Sequence, residues 1–178
     1  EALFYNDVAP YYKQLSEGRA PYLSAVNRLI VDRIRSSNPH PVSMLDIGSG
    51  DGARALAIAD SAQIKQLAFV EPSLAMIYQI EKLNIPLAIN SCIYQGKAES
   101  LHQIITDQQF DVITVLWNVL GHIPDHQLRV AALQNMRHLL SKNGILFFDL
   151  NNRYNVGAYG KNTVLKNYQL DVENPAEK

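Results

Sequence analysis

The sequence predicts an α/β fold: a doubly wound, mostly parallel sheet with helices on both faces. Three observations predict it. From Val42 onward, short apolar runs alternate with helically spaced segments over about a hundred residues, the signature of strand–helix–strand units. The runs VSMLDIG, QLAFVE, FDVITVLW and ILFFDLN lack polar alternation, as strands covered on both faces do. Glycines gather in LDIGSGDG, where the first run turns into a helix, and open parallel sheets bind ligands at the carboxyl ends of their strands.

In PYLSAVNRLIVDRIRSSN, Leu23, Val26, Ile30 and Ile34 recur at helical spacing, and SNPHP stops that helix. Residues 42–48 form the first strand, and 52–60 a helix that Asp51 is placed to cap. Residues 66–71 are the second strand. Pro72 closes it, and Ser73 caps a helix that turns Leu74, Ile77, Ile80 and Leu83 inward. SCIYQ, 91–95, is a weaker third strand with Cys92 buried in it, followed by a short helix around SLHQIIT. Residues 110–117 are the fourth strand. Asp125 caps the next helix, with Leu128, Ala132, Met136 and Leu139/Leu140 on its inner face. SKNG ends that helix, Asn143 or Gly144 taking a left-handed conformation, and 145–151 is the fifth strand. The polar tail from Asn152 holds at most one further strand, TVLKNYQLDV.

Bulk properties exclude several classes. An apolar content of 47 % with 19 % charged residues is that of a globular protein. The formal net charge of −1 and the lack of any Lys/Arg run leave no footprint for nucleic acid. No stretch reaches the roughly 18 apolar residues of a membrane span. Cys92 is the lone cysteine, which excludes an intrachain disulfide and fits a reducing compartment. With no signal-peptide layout at the N-terminus, the expected location is cytoplasmic. The chain begins without Met and reads as a trimmed piece.

The glycine turn makes a cradle of backbone N–H groups at a helix N-terminus. Its spacing fits two fingerprints. Gly48, Gly50 and Ala53 match the dinucleotide pattern, with Glu71 about 20 residues on for the ribose, which would make the protein an NAD oxidoreductase. Asp46 followed by Gly48, Gly50 and Gly52 matches a second pattern. Charge separates the two. A carboxylate under the turn disfavours a pyrophosphate and favours a cationic amine or sulfonium.

Asp46-Ile47-Gly48-Ser49-Gly50-Asp51-Gly52 resembles the first motif of the class I S-adenosylmethionine-dependent methyltransferases, small-molecule type. The resemblance spans roughly residues 40–152 in four ordered motifs. It implies that Asp46, Gly48, Ser49 and Gly50 bind S-adenosylmethionine. In FVEPS it implies that Glu71 clamps both ribose hydroxyls, while Pro72 and Met76 line the adenine; taken alone, Met76 is more often a core residue. GKAES resembles the third-strand segment, where the family commonly carries Gly-acidic-Ala-Glu, but position 97 is lysine. Lys97 has only donors and cannot accept from the adenine amine. The Ala98 N–H can still reach a ring nitrogen, leaving Glu99 or a weaker adenine grip. FDVITVLWNVLGHI resembles the fourth motif and brings Trp117, Asn118 and His122 beside the glycine turn; FDLNN resembles the fifth-strand segment.

The reaction so implied is in-line methyl transfer to a small-molecule oxygen or nitrogen. A general base is needed only for a hydroxyl or a protonated amine. His122 is the candidate, with Asp149 and the Tyr5/Tyr11/Tyr12 cluster behind it. FYNDVAPYY resembles the N-terminal lid of small-molecule members, so Tyr11, Tyr12 and also Asn151 are candidate substrate contacts. Plain packing or surface roles explain these residues equally well. No metal is expected: His122 and His126 are four apart, but Pro124 breaks the register. There is no G-x-S-x-G elbow. The expected organisation is one domain, 1–178, with an N-terminal helical cap over 1–40, the S-adenosylmethionine-binding core over 41–152 and a partial C-terminal extension over 153–178. Family members usually finish with two more strands, so the chain is expected to be truncated or irregular there, with an exposed sheet edge that invites association. A cofactor-binding domain without turnover is the remaining alternative. Neither the acceptor nor the oligomeric state is legible.

Overall fold

The computed structural model describes residues 2–38 and 40–173; Pro39, within the predicted SNPHP stop, lies outside the described residues, as do 174–178. Helices α1 (Ala2–Val8), α2 (Tyr12–Glu17) and α3 (Ala20–Ser37) lead in, with a 3-10 turn at Ala9–Tyr11. Then follow β1 (Ser43–Ile47), α4 (Ala53–Ala62), β2 (Gln66–Glu71), α5 (Leu74–Ile80), β3 (Asn90–Gln95), β4 (Phe110–Val115), α6 (His126–Leu139) and β5 (Leu140–Phe148). Helices α7 (Val156–Tyr159) and α8 (Lys161–Glu173) close the described chain.

The five strands form one sheet in the order β3-β2-β1-β4-β5, every pair parallel. Successive residues of a strand face opposite sides, so the sheet separates two cores. Met44, Leu67, Phe69 and Val112 pack against Ile30, Ile34, Ile58 and Ala59 of α3 and α4. Leu45, Val70, Ile113 and Val115 pack against Ala132, Met136 and Leu139 of α6. Asp46 alternates with Leu45 and Ile47, so it shares the α3/α4 face with Met44. The order reverses between β1 and β4, and the crevice at their carboxyl ends is the switch point where such sheets bind ligands.

Several expectations need correction. Leu74 is 64 % exposed: Ser73 caps α5, its Oγ accepting from Met76 N–H at 3.2 Å, and the inward positions are Met76 and Ile80. Leu128 in the first turn of α6 is likewise exposed, the inner face being Ala132, Met136 and Leu139. Asp51 does not occupy the cap position of α4; Gly52 does, and Asp51 Oδ1 accepts from Ala53 N–H at 3.2 Å. β4 stops at Val115, before Trp117 and Asn118. Helix α6 runs directly into β5 at Leu140, and SKNG breaks the register between Phe110↔Leu140 and Val112↔Ile145. Gly144 is needed there for close approach, not handedness: a Cβ on it would stand 3.0 Å from the Phe110 carbonyl oxygen. Cys92 is exposed, because β3 is an edge strand. The segment read as a sixth strand is helical within α8; Leu165, Tyr168 and Val172 are three and four apart, a spacing that fits 3.6 and not 2.

Candidate functional site

Two cavities flank the turn between β1 and α4. The first, about 540 Å³, is lined by Gly48, Gly50, Glu71, Pro72, Lys97, Ala98, Glu99 and His122, with Tyr5 and Val8 from α1 above. The second, about 1120 Å³, is lined by Asp46, Gly48, Ser49, Asp51 and Arg54 and runs between α3 and α4. Tyr12, Gly48, Leu116 and Trp117 line both, so the cavities meet over the turn.

The turn requires its glycines. Gly48 and Gly50 stand at φ 72° and 56°, in the left-handed region that a side chain makes costly. A Cβ on Gly48 would also come within 2.4 Å of Val119 Cγ2, and one on Gly50 within 3.0 Å of the Tyr12 hydroxyl. Glu71 ties the end of β2 to the turn. Its Oε2 accepts from Gly50 N–H at 2.9 Å and its Oε1 from Ser73 N–H at 3.0 Å. Each oxygen keeps a further lone pair for a ligand hydroxyl. Burial raises the Glu71 carboxyl above the usual range, against those two N–H bonds. Ala98 opens a 3-10 turn, Ala98–Gln103, so its N–H is one of the donors such a turn leaves without an internal partner.

On the other side, Asp46 is buried and accepts a bond from the Thr114 hydroxyl of β4. Burial raises its pKa, opposed by the Thr114 and Ser49 hydroxyls and by the Arg54 charge. Arg54, in the first turn of α4, gives its Nε–H to Asn27 Oδ1 at 2.8 Å and stands 4.0 Å from Asp149 Oδ2. Its Nη2 is buried with no hydrogen-bond partner among the described residues. Burial lowers the pKa of Arg54, while Asp149 and Asp46 raise it.

Of the residues singled out from sequence, Asp46, Gly48, Ser49, Gly50, Glu71, Pro72, Ala98, Glu99, Tyr12 and His122 come together around these cavities. Four do not. Met76 is fully buried in the core of α5 and lines neither cavity. Asn118 turns its Oδ1 to accept from the Asn151 backbone N–H at 3.0 Å, and neither residue lines a cavity. Tyr11 is 62 % exposed, on the outer side of the 3-10 turn. Asp149 is committed to holding the chain after β4, accepting from Trp117 N–H and Asn118 N–H. His122 lies 3.4 Å from the Tyr5 hydroxyl.

Sequence reasoning missed three residues. Arg54 is one charge in the helical string GARALAIAD, where nothing local marks it. Thr114 sits in an apolar strand, where an isolated hydroxyl among Val and Ile was a signal that a polar partner lies opposite. Asn6 accepts from the Ser73 hydroxyl at 2.6 Å and so latches α1 onto the β2–α5 corner. Nothing in the sequence around Asn6 announces that contact. Among the described residues no group of three or more His, Cys, Asp or Glu is placed to hold a metal ion, and no helix is long and apolar enough to cross a membrane.

Solved structures share this fold. CalS10, an amino pentose methyltransferase from Micromonospora echinaspora solved with S-adenosylmethionine bound, superposes with a TM-score of 0.67 at 21 % identity, over 79 % of this chain and 56 % of that one. KedS8, a sugar N-methyltransferase from Streptoalloteichus, gives 0.63 at 22 % identity, over 79 % and 53 %. The plantazolicin methyltransferase BpumL, solved with S-adenosylhomocysteine, gives 0.67 at 19 % identity, over 86 % and 55 %. The chain thus spans little more than half the length of these proteins. No curated protein matches it at the sequence level. The methyltransferase-domain family model matches residues 19–174 and sets aside the dinucleotide reading of the glycine turn; the chain belongs to the methyltransferase-domain family.

Proposed function

We propose that the joined cavities hold S-adenosylmethionine across the glycine turn and that the domain transfers a methyl group to a small-molecule nitrogen or oxygen. The observation that carries this reading is the buried, unpaired Arg54 Nη2 on the same cavity wall as Asp46. An unsatisfied buried donor costs about 1–3 kcal/mol, more when charged. A ligand carboxylate on Arg54 with an amine near Asp46 would satisfy both, and an amino-acid zwitterion has that pair of charges. On the far side of Gly48, Glu71 offers acceptors for a cis-diol, and Pro72 with the Ala98 N–H suits a flat base. Lys97 lines this cavity too and adds no acceptor for an adenine amine.

When bound, the cofactor supplies a methyl group already activated on a sulfonium. The chain's work is then to align an acceptor and exclude water, which can supply on the order of 7–11 kcal/mol of the barrier. Tyr5, Val8 and Tyr12 roof the site from the N-terminal helices. His122 lies in the same cavity wall, held by Tyr5, and is our candidate to take the proton of a hydroxyl or protonated amine. The sugar and amino-sugar methyltransferases among similar folds support an acceptor of that class, by analogy of fold. We further read the chain as one domain acting in the cytoplasm, a location that the lone reduced Cys92 suits. Near-neutral net charge supports a partner other than nucleic acid.

Calorimetry with S-adenosylhomocysteine tests the reading. Glu71→Ala should weaken binding by roughly 1.5–3 kcal/mol, the worth of hydrogen bonds to a charged group. Wild-type affinity in that variant would remove Glu71 from the ribose site.

A further inference from the structure

Trp117 is a residue the backbone is strained to place. It stands at φ 70° and Asn118 at φ 61°, two consecutive non-glycine residues in the left-handed region. For a bulky side chain that conformation is a genuine outlier. Asp149 holds the pair, accepting from Trp117 N–H at 2.9 Å and from Asn118 N–H. Strain persists only where the surroundings over-determine it, and it collects at functional sites. Here it sets the indole on the wall shared by both cavities. The Tyr12 ring lies 5.7 Å away, and the Arg19 guanidinium carbon stands 5.4 Å from the indole centroid. The ring face therefore already receives a cation, at the junction where the charged end of the cofactor would meet its nucleoside end.

We propose that the Trp117 indole reads the sulfonium charge of the cofactor and that Arg19 contests the same ring, so that the site separates the charged cofactor from its neutral thioether product. The inference rests on the cofactor reading above. A sulfonium carries no N–H or O–H donor, so conventional hydrogen bonds do little to recognise its charge. An aromatic face can: tryptophan is the strongest such partner for a cation within about 6 Å, and more so when water is excluded. Transfer would form a bond from the acceptor's lone pair to the methyl carbon while the carbon–sulfur bond breaks and leaves its electron pair on sulfur. The product sulfur is uncharged, loses the attraction, and cannot hold the ring against Arg19. Product release is thereby favoured by a side chain of the protein itself.

Binding of S-adenosylmethionine and S-adenosylhomocysteine to the wild type, Trp117→Leu, Trp117→Phe and Arg19→Gln tests this by calorimetry. Trp117 is the chain's one tryptophan, so its fluorescence gives a second, site-specific readout in the wild type and in Arg19→Gln. Trp117→Leu should weaken the sulfonium ligand about tenfold and the thioether about twofold or less, with Trp117→Phe between. Arg19→Gln should tighten the sulfonium ligand about two- to fivefold and leave the thioether unchanged. Should Trp117→Leu fail to fold in a thermal melt, Trp117→Phe and Arg19→Gln decide. Equal changes for the two ligands would overturn the proposal while leaving the cofactor reading intact. A wild type that binds neither ligand would overturn both.

Discussion

The cavity beside Glu71 and the cavity beside Arg54 share a wall, yet their polar groups differ in kind. Around Glu71 the carboxylate is already bonded by two backbone N–H groups, and what remains for a ligand is spare lone pairs and main-chain donors. Around Arg54 the groups are charges, Asp46 buried and Arg54 half-buried, and one buried guanidinium nitrogen has no partner among the described residues. The first arrangement reads shape and hydroxyl geometry. The second reads charge. A ligand spanning both must carry a neutral, hydroxylated end and a zwitterionic end, and the comparison makes each half separately breakable.

The largest effect belongs to the wall they share. Gly48→Ala places a Cβ at 2.4 Å from Val119 Cγ2 on a backbone with φ 72°. Strain and overpacking together should destabilise the fold by about 2–4 kcal/mol. Thermal melts should register that loss, and calorimetry should find both adenosine and S-adenosylhomocysteine weakened. Unchanged binding of either ligand would mean the cavities do not meet at this residue. A smaller and more selective effect is expected at Arg54. Arg54→Gln removes the buried cation, so S-adenosylhomocysteine should lose about 1.5–3 kcal/mol, the worth of hydrogen bonds to a charge. Adenosine, which has no amino-acid end, should bind as to the wild type. Equal losses for the two would show that Arg54 shapes the turn rather than pairing with a carboxylate.

The same contrast explains what was legible beforehand. The sheet was readable because each buried strand is a short apolar run, and a parallel sheet covered on both faces requires that pattern. Glu71, Asp46 and the glycines were readable because a turn this tight tolerates few residue types. Arg54 was not. Its role comes from α4 packing beside α3, which sets it by Asn27, and from β5 carrying Asp149 to within 4.0 Å. Those are tertiary neighbours of a residue that, in the string GARALAIAD, resembles any helix-surface charge. Met76 failed for the complementary reason: its i, i+4 partner Ile80 drew it into the core, and no local feature distinguishes a core methionine from one lining a base. Asn118 and Asn151 follow the carboxyl ends of β4 and β5, and there the Asn151 N–H donates to Asn118 Oδ1. Proximity in the fold did not make either a wall of the cavity.

The smallest effect concerns the charge-reading half alone, and it is one of sign. Burial raises the Asp46 pKa, and the Thr114 and Ser49 hydroxyls and Arg54 only partly offset it. A carboxyl whose folded pKa lies above its unfolded value binds more protons in the native state. Its contribution to stability is full below the unfolded pKa and is lost as pH rises through the raised folded value. Asp46→Asn keeps an oxygen for the Thr114 hydroxyl and removes the buried charge. The variant should therefore gain melting temperature relative to the wild type as pH rises from acid to neutral. That gain should be modest, because Arg54 loses one of its two carboxylate neighbours at the same time. Thermal melts of both proteins across that pH range check it. A variant whose disadvantage grows toward neutral pH would mean that the attraction of Arg54 outweighs the cost of burying Asp46, and the cavity would then be a closed ion pair rather than an open receptor for a zwitterion.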